Sequence, residues 1–130
     1  MKKTINIFIA LSLFIMSLLI FGYHIIIGSD IPVDINFNQV IMFSVISFIY
    51  IILQLLYIIK NNNNPLIMNL ILMIFLIFIW ALDFMTNTTY KYHRYNTLIS
   101  CIGFCSTMFI LFMYILTFRK KYFNKTHDNK

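Results

Sequence analysis

Hydrophobic positions gather into four long runs, Ile5–Ile27, Val40–Ile59, Leu66–Met85 and Leu98–Phe118, separated by short polar stretches. A helix rises about 1.5 Å per residue, so about 20 residues cross a hydrocarbon core about 30 Å thick. Strands of a membrane barrel would alternate in polarity over about 10 residues, and these runs are apolar at every helical angle. The pattern predicts an all-α integral membrane protein with four transmembrane helices in an antiparallel up-down bundle. Residues 1–130 read as one membrane domain, with a basic tail at 119–130. Lys2 and Lys3 followed by an apolar stretch fit the opening of a secretory signal. The stretch outruns the usual 7–15 residues and no small-residue cleavage site follows, so the first helix is expected to be retained.

Within each run the few small or polar residues share a stripe. Ala10, Ser17 and His24 are spaced by seven, as are Asn69, Leu76 and Asp83. Ser44, Ser47, Ile51 and Gln54 form a second-span stripe, and Ser100, Gly103 and Thr107 a fourth-span one. Small and polar residues permit close approach and hydrogen bonding between membrane helices, so these stripes are expected to face inward. The short Lys60–Pro65 connection predicts that the second and third helices are neighbours. Gln54 and Asn69 would then meet in a polar packing layer.

Charge sets the expected orientation. Lys2, Lys3, Lys60, Arg119, Lys120, Lys121, Lys125 and Lys130 fall on one side of the predicted membrane, with Lys91 and Arg94 on the other. Lysine and arginine accumulate on the cytoplasmic side of short loops, which predicts an N-in/C-in protein of a cell membrane, read as a bacterial cytoplasmic membrane. A net charge of +6 distributed in this way argues against nucleic acid as a partner. Tyr23, Trp80, Tyr90, Tyr92, Tyr95, Tyr114 and Tyr122 fall near the expected interfaces, where amphipathic rings are favoured.

The residues able to carry chemistry are few. Asp83 is the single acid within a predicted span, which makes it a functional candidate by position. The third run ends at Met85, placing Asp83 near the outer end, with His24, Lys91, His93 and Arg94 as candidate partners for an ion or protein site. Tyr90, Lys91, Tyr92, His93, Arg94 and Tyr95 interleave aromatic and cationic groups in what reads as an outer loop. Such a stretch suits an interfacial belt or a recognition surface. Cys101 and Cys105 have the wrong spacing for a redox pair and read as small buried packing residues. Asn87-Thr88-Thr89 is a formal glycosylation sequon. No ligand spacing for a metal and no catalytic or cofactor motif is present, so neither metal nor cofactor is expected.

In size and layout the chain resembles small four-helix membrane proteins such as bacteriocin-immunity proteins, accessory subunits and small transporters, a likeness of architecture alone. The expectation is a non-enzymatic protein acting in the bilayer on a membrane-protein partner or as a homo-oligomer. The alternative is a small oligomeric transporter or channel using Asp83.

Overall fold

The computed structural model describes residues 2–28, 35–60, 65–90 and 94–127, with side chains described for 4–28, 35–60, 67–90 and 94–120. These residues form four helices: α1 (Lys2–Gly28), α2 (Phe37–Lys60), α3 (Pro65–Tyr90) and α4 (Arg94–His127). All four are long and apolar enough to span a membrane, the pattern of a multi-pass membrane protein. In lipid every backbone polar group needs a partner, and a helix supplies one within the segment itself.

The helix ends follow local rules. Asn36 precedes α2, and its N–H donates to Gln39 Oε1 at 3.0 Å while its carbonyl accepts from Gln39 N at 2.9 Å. That is the reach-back half of a capping box. Pro65 opens α3, where its missing N–H costs nothing and its fixed φ suits a helix start. α3 continues past its apolar run to Tyr90, and in this stretch threonine hydroxyls bond back along the helix. Thr86 donates to the Asp83 carbonyl, Thr88 to that of Phe84 and Thr89 to that of Met85, all within 2.9 Å.

The bundle is turned inside out relative to a water-soluble protein. Large apolar side chains point outward, including Ile59 (80% exposed), Ile26 (70%) and Phe8 (69%). The polar stripes point inward: Ser17, His24, Ser47, Gln54, Asn69, Ser100 and Thr107 are all buried. An outward apolar surface of this extent is tolerated in lipid and would drive association in water.

Helix adjacency differs from the sequence expectation. α4 packs against α3 and α2, and α1 packs most closely against α3, whereas α2 and α3 make the least contact of any pair. They therefore lie across the bundle from each other rather than side by side. Five Cα steps from Lys60 to Pro65 reach about 17 Å. The diagonal of a bundle with helices about 9 Å apart is about 13 Å, so a short connection permits either arrangement.

Two apolar clusters fill the interior. One contains Ala10, Leu13, Tyr50, Tyr57, Met73, Leu76, Ile110 and Tyr114. The other contains Ile27, Val40, Phe43, Trp80 and Ile99. Gly103 makes room for Trp80: a Cβ there would collide with the six-membered ring of the indole. Trp80 is thus a core residue at 3% exposure, not the interfacial ring expected from its position.

Candidate functional site

Asp83 lies almost two turns from the end of α3, deeper than the end of the apolar run at Met85 implied, because the helix runs on to Tyr90. This depth changes its surroundings. His24 of α1 reaches it directly, with Nε2 2.7 Å from Asp83 Oδ2. Ser100 of α4 donates to the same oxygen at 2.6 Å, and Asn87, one turn further along α3, donates to it at 3.1 Å. Asn87 Nδ2 also lies 2.6 Å from Ser100 Oγ, and Asn96 Nδ2 donates to Asn87 Oδ1 at 2.9 Å. The donors of three helices are thus oriented, directly or through one another, toward one carboxylate oxygen.

Aromatic rings close the inner side of this cluster. His24 stacks on Trp80 with centroids 5.5 Å apart, and Phe21 meets Trp80 edge-on at 4.9 Å. Phe43 approaches His24 from α2, at 6.3 Å. His24 is 1% exposed, whereas the Asp83 side chain keeps 18% of its surface. That remaining surface borders an opening of about 300 Å³ lined by His24, Ile25, Gly28, Asp83, Thr86, Asn87, Tyr90 and Asn96.

Ser100, His24 and Asp83 do not form a hydrolytic triad. In a triad the imidazole stands between the other two, using a different nitrogen for each. Here Nε2 faces both Asp83 Oδ2 and Ser100 Oγ, at 2.7 and 3.2 Å, and Nδ1 has no partner. Among the described residues no group of three or more His, Cys, Asp or Glu comes together.

A second polar cluster occupies the opposite end of the bundle. Asn69 Nδ2 donates to Gln54 Oε1 at 3.2 Å across the α2/α3 diagonal, and also to the Tyr114 hydroxyl. Tyr114 donates to Gln54 Oε1 at 2.9 Å, and Gln54 Nε2 donates to the Tyr50 hydroxyl at 2.8 Å. Gln54, Asn69 and Tyr114 are all completely buried. Tyr114 is an interior ring that ties α4 to this layer, rather than the interfacial ring its position suggested.

Of the remaining candidates, Tyr90 lines the Asp83 opening. Lys91, Tyr92 and His93 are outside the described residues. Tyr90 is the last residue of α3, and Arg94 and Tyr95 begin α4, so these three are helical rather than in a loop. The Arg94 guanidinium lies 5.8 Å from the Tyr95 ring centroid, and Phe37 lies 6.3 Å from that ring. Cys105 is exposed and Cys101 half-buried, both as free thiols, which corrects the expectation of buried packing residues. Asn87 is 5% exposed and committed to the Asp83 cluster, so the glycosylation sequon is not presented as an acceptor.

Sequence reasoning missed Asn87 and Asn96 as members of the site and gave Ser100 only a packing role. A usable signal was present: Asp83 and Asn87, like Asn96 and Ser100, are one helical turn apart. Searches against protein-family models, curated proteins and solved structures found no match for this chain.

Proposed function

We propose that the chain is a small multi-pass protein of a cell membrane that acts without catalysis, by contact between its helices or its Asp83 rim and a membrane partner. The partner class is a resident complex subunit or a membrane-active toxin, as in an accessory or immunity-like protein; a second copy of the chain is the homo-oligomeric form of the same reading. The observation that carries this is the filled interior. At mid-bundle a narrow space of about 20 Å³ lies among Ser17, Ser47, Tyr50, Leu76, Trp80 and Thr107, room for one water-sized molecule. A lumen of that size favours action through surfaces. The outward face offers an apolar groove of about 550 Å³ between α3 and α4, lined by Ile67, Leu70, Ile115, Phe118 and Arg119.

An antiparallel, N-in/C-in orientation belongs to the same proposal. It rests on the excess of lysine and arginine around Lys60 and Arg119 over that around Arg94. Reporter fusions at both termini are expected to report the cytoplasmic side, and a reporter inserted near Lys91 the opposite one. Any terminus on the far side would overturn the orientation.

The partly exposed Asp83 carboxylate favours a second reading, an oligomeric transporter or channel. Purified protein in liposomes is expected to give no sodium, potassium or proton flux above empty vesicles. A flux abolished by Asp83→Asn would replace the contact reading with transport.

A further inference from the structure

The opening beside Asp83 has an unusual balance of hydrogen-bonding groups. Among the described residues, every hydrogen bond to the Asp83 carboxylate lands on Oδ2, from His24, Ser100 and Asn87. Oδ1 receives none. Among the described residues His24 Nδ1 and Asn96 Oδ1 are buried and have no partner, and both residues line the same opening. Asn96 Oδ1 faces the Gly28 wall of it, where a Cβ added to the glycine would lie 2.7 Å away. With Nε2–H committed to Asp83, a neutral imidazole presents Nδ1 as a lone-pair acceptor. A protonated ring would instead leave a buried donor unpaired, which is costly.

Each unmet group around the opening is therefore an acceptor, and one is part of a charged carboxylate with no cation beside it among the described residues. Buried polar groups are expected to have partners, so such a set points to the chemistry of its complement. The complement is a cationic donor. Among the described residues no group of three or more His, Cys, Asp or Glu comes together, so a metal ion here would rest on a single carboxylate. An alkylammonium group carries one positive charge and three N–H donors, two of which match the Asp83 carboxylate oxygen and the Asn96 amide oxygen, while His24 Nδ1 points away from Asp83. The rest of the wall, Ile25, Gly28 and the Tyr90 ring, suits a short hydrocarbon body and a cation near an aromatic face.

We infer that the opening between α1, α3 and α4 is a binding site for a primary ammonium group, held by Asp83 and Asn96 with His24 as positioning residue. The same chemistry belongs to a soluble short amine and to the ethanolamine headgroup of a phospholipid. This goes beyond the contact reading above and does not depend on it.

The chain carries its own reporter, because its single tryptophan, Trp80, stacks on His24. The test places the full chain in phosphatidylcholine nanodiscs and follows Trp80 emission as ethylammonium chloride is added. Sodium and tetramethylammonium chloride at matched ionic strength serve as controls, since neither has an N–H donor. A saturable change with ethylammonium alone is expected, and Asp83→Asn should weaken it about tenfold. Asn96→Leu leaves the His24–Asp83 pair in place and should weaken it several-fold, which keeps the test meaningful if Asp83→Asn folds poorly. Adding phosphatidylethanolamine to the nanodiscs separates the two sources. Competition against ethylammonium assigns the site to the lipid headgroup; unchanged affinity assigns it to a soluble amine. No saturable change, an equal response to all three salts, or binding that survives both substitutions would overturn the inference.

Discussion

The Asp83 end and the Asn69 end of the bundle are built from the same kind of material and behave differently. Both gather polar side chains from three helices on the interior face. At the Asn69 end the groups are neutral and fully buried, and four side chains bond to one another. Asn69 Oδ1 lacks a partner there, but Asn69 lines none of the spaces described above. At the Asp83 end a carboxylate is gripped by one oxygen, and the opening beside it is lined by His24 and Asn96, each with a buried acceptor that has no partner among the described residues. A neutral layer can lock helices in register through the bonds that its amides and hydroxyls make to one another. A charged cluster with unmet acceptors on one side has the form of a site.

The largest expected effect comes from removing the partner of the charge. His24→Leu should destabilise the protein by about 1.5–3 kcal/mol, the range for a hydrogen bond to a charged group, because it takes a donor from the Asp83 carboxylate. The double change His24→Leu with Asp83→Leu should recover most of that loss, since two apolar residues replace the pair. Unfolding in mixed micelles measures both. If His24→Leu costs no more than Asn69→Leu in the neutral layer, the contrast between the two ends fails.

Gly103 tests the aromatic partition between the ends. Gly103→Ala forces a Cβ into the Trp80 ring and should cost about 1–3 kcal/mol through overpacking. Gly22→Ala is the matched control, because nothing lies within 4 Å of its added Cβ. Equal thermal stability of the two variants would mean that the Trp80 ring gives way to the added Cβ at no cost. The smallest effect belongs to the neutral layer. A double-mutant cycle of Gln54→Leu and Asn69→Leu should show a coupling of about 0.6 kcal/mol. A coupling of zero would mean the 3.2 Å contact adds nothing to stability.

Much of this was legible in one dimension. Apolar runs of membrane-crossing length mark the helices, because the cost of unpaired backbone in lipid leaves few alternatives. The stripes of Ser17, His24, Gln54, Asn69 and Ser100 also pointed inward as their spacing implied. The depth of Asp83 was misjudged because hydropathy stops at Met85 while the helix continues through polar residues to Tyr90. Trp80 and Tyr114 suit an interface by residue type, yet each has an interior counterpart. Gly103 makes room for one, and Gln54 with Asn69 engages the other.

The sequence by itself determined four helices with apolar exteriors and polar stripes, since these depend on residue spacing along a single helix. Tertiary structure decided that α2 and α3 lie diagonally, because a short connection constrains distance and not direction. It also decided that His24, Asn87, Asn96 and Ser100 converge on Asp83. Those residues come from three helices, and only packing sets how the helices rotate and slide against one another. A difference of one residue in register would shift a side chain by about 1.5 Å along the axis and turn it about 100°. That is enough to separate a 2.7 Å pair, so the site is a property of the assembled bundle.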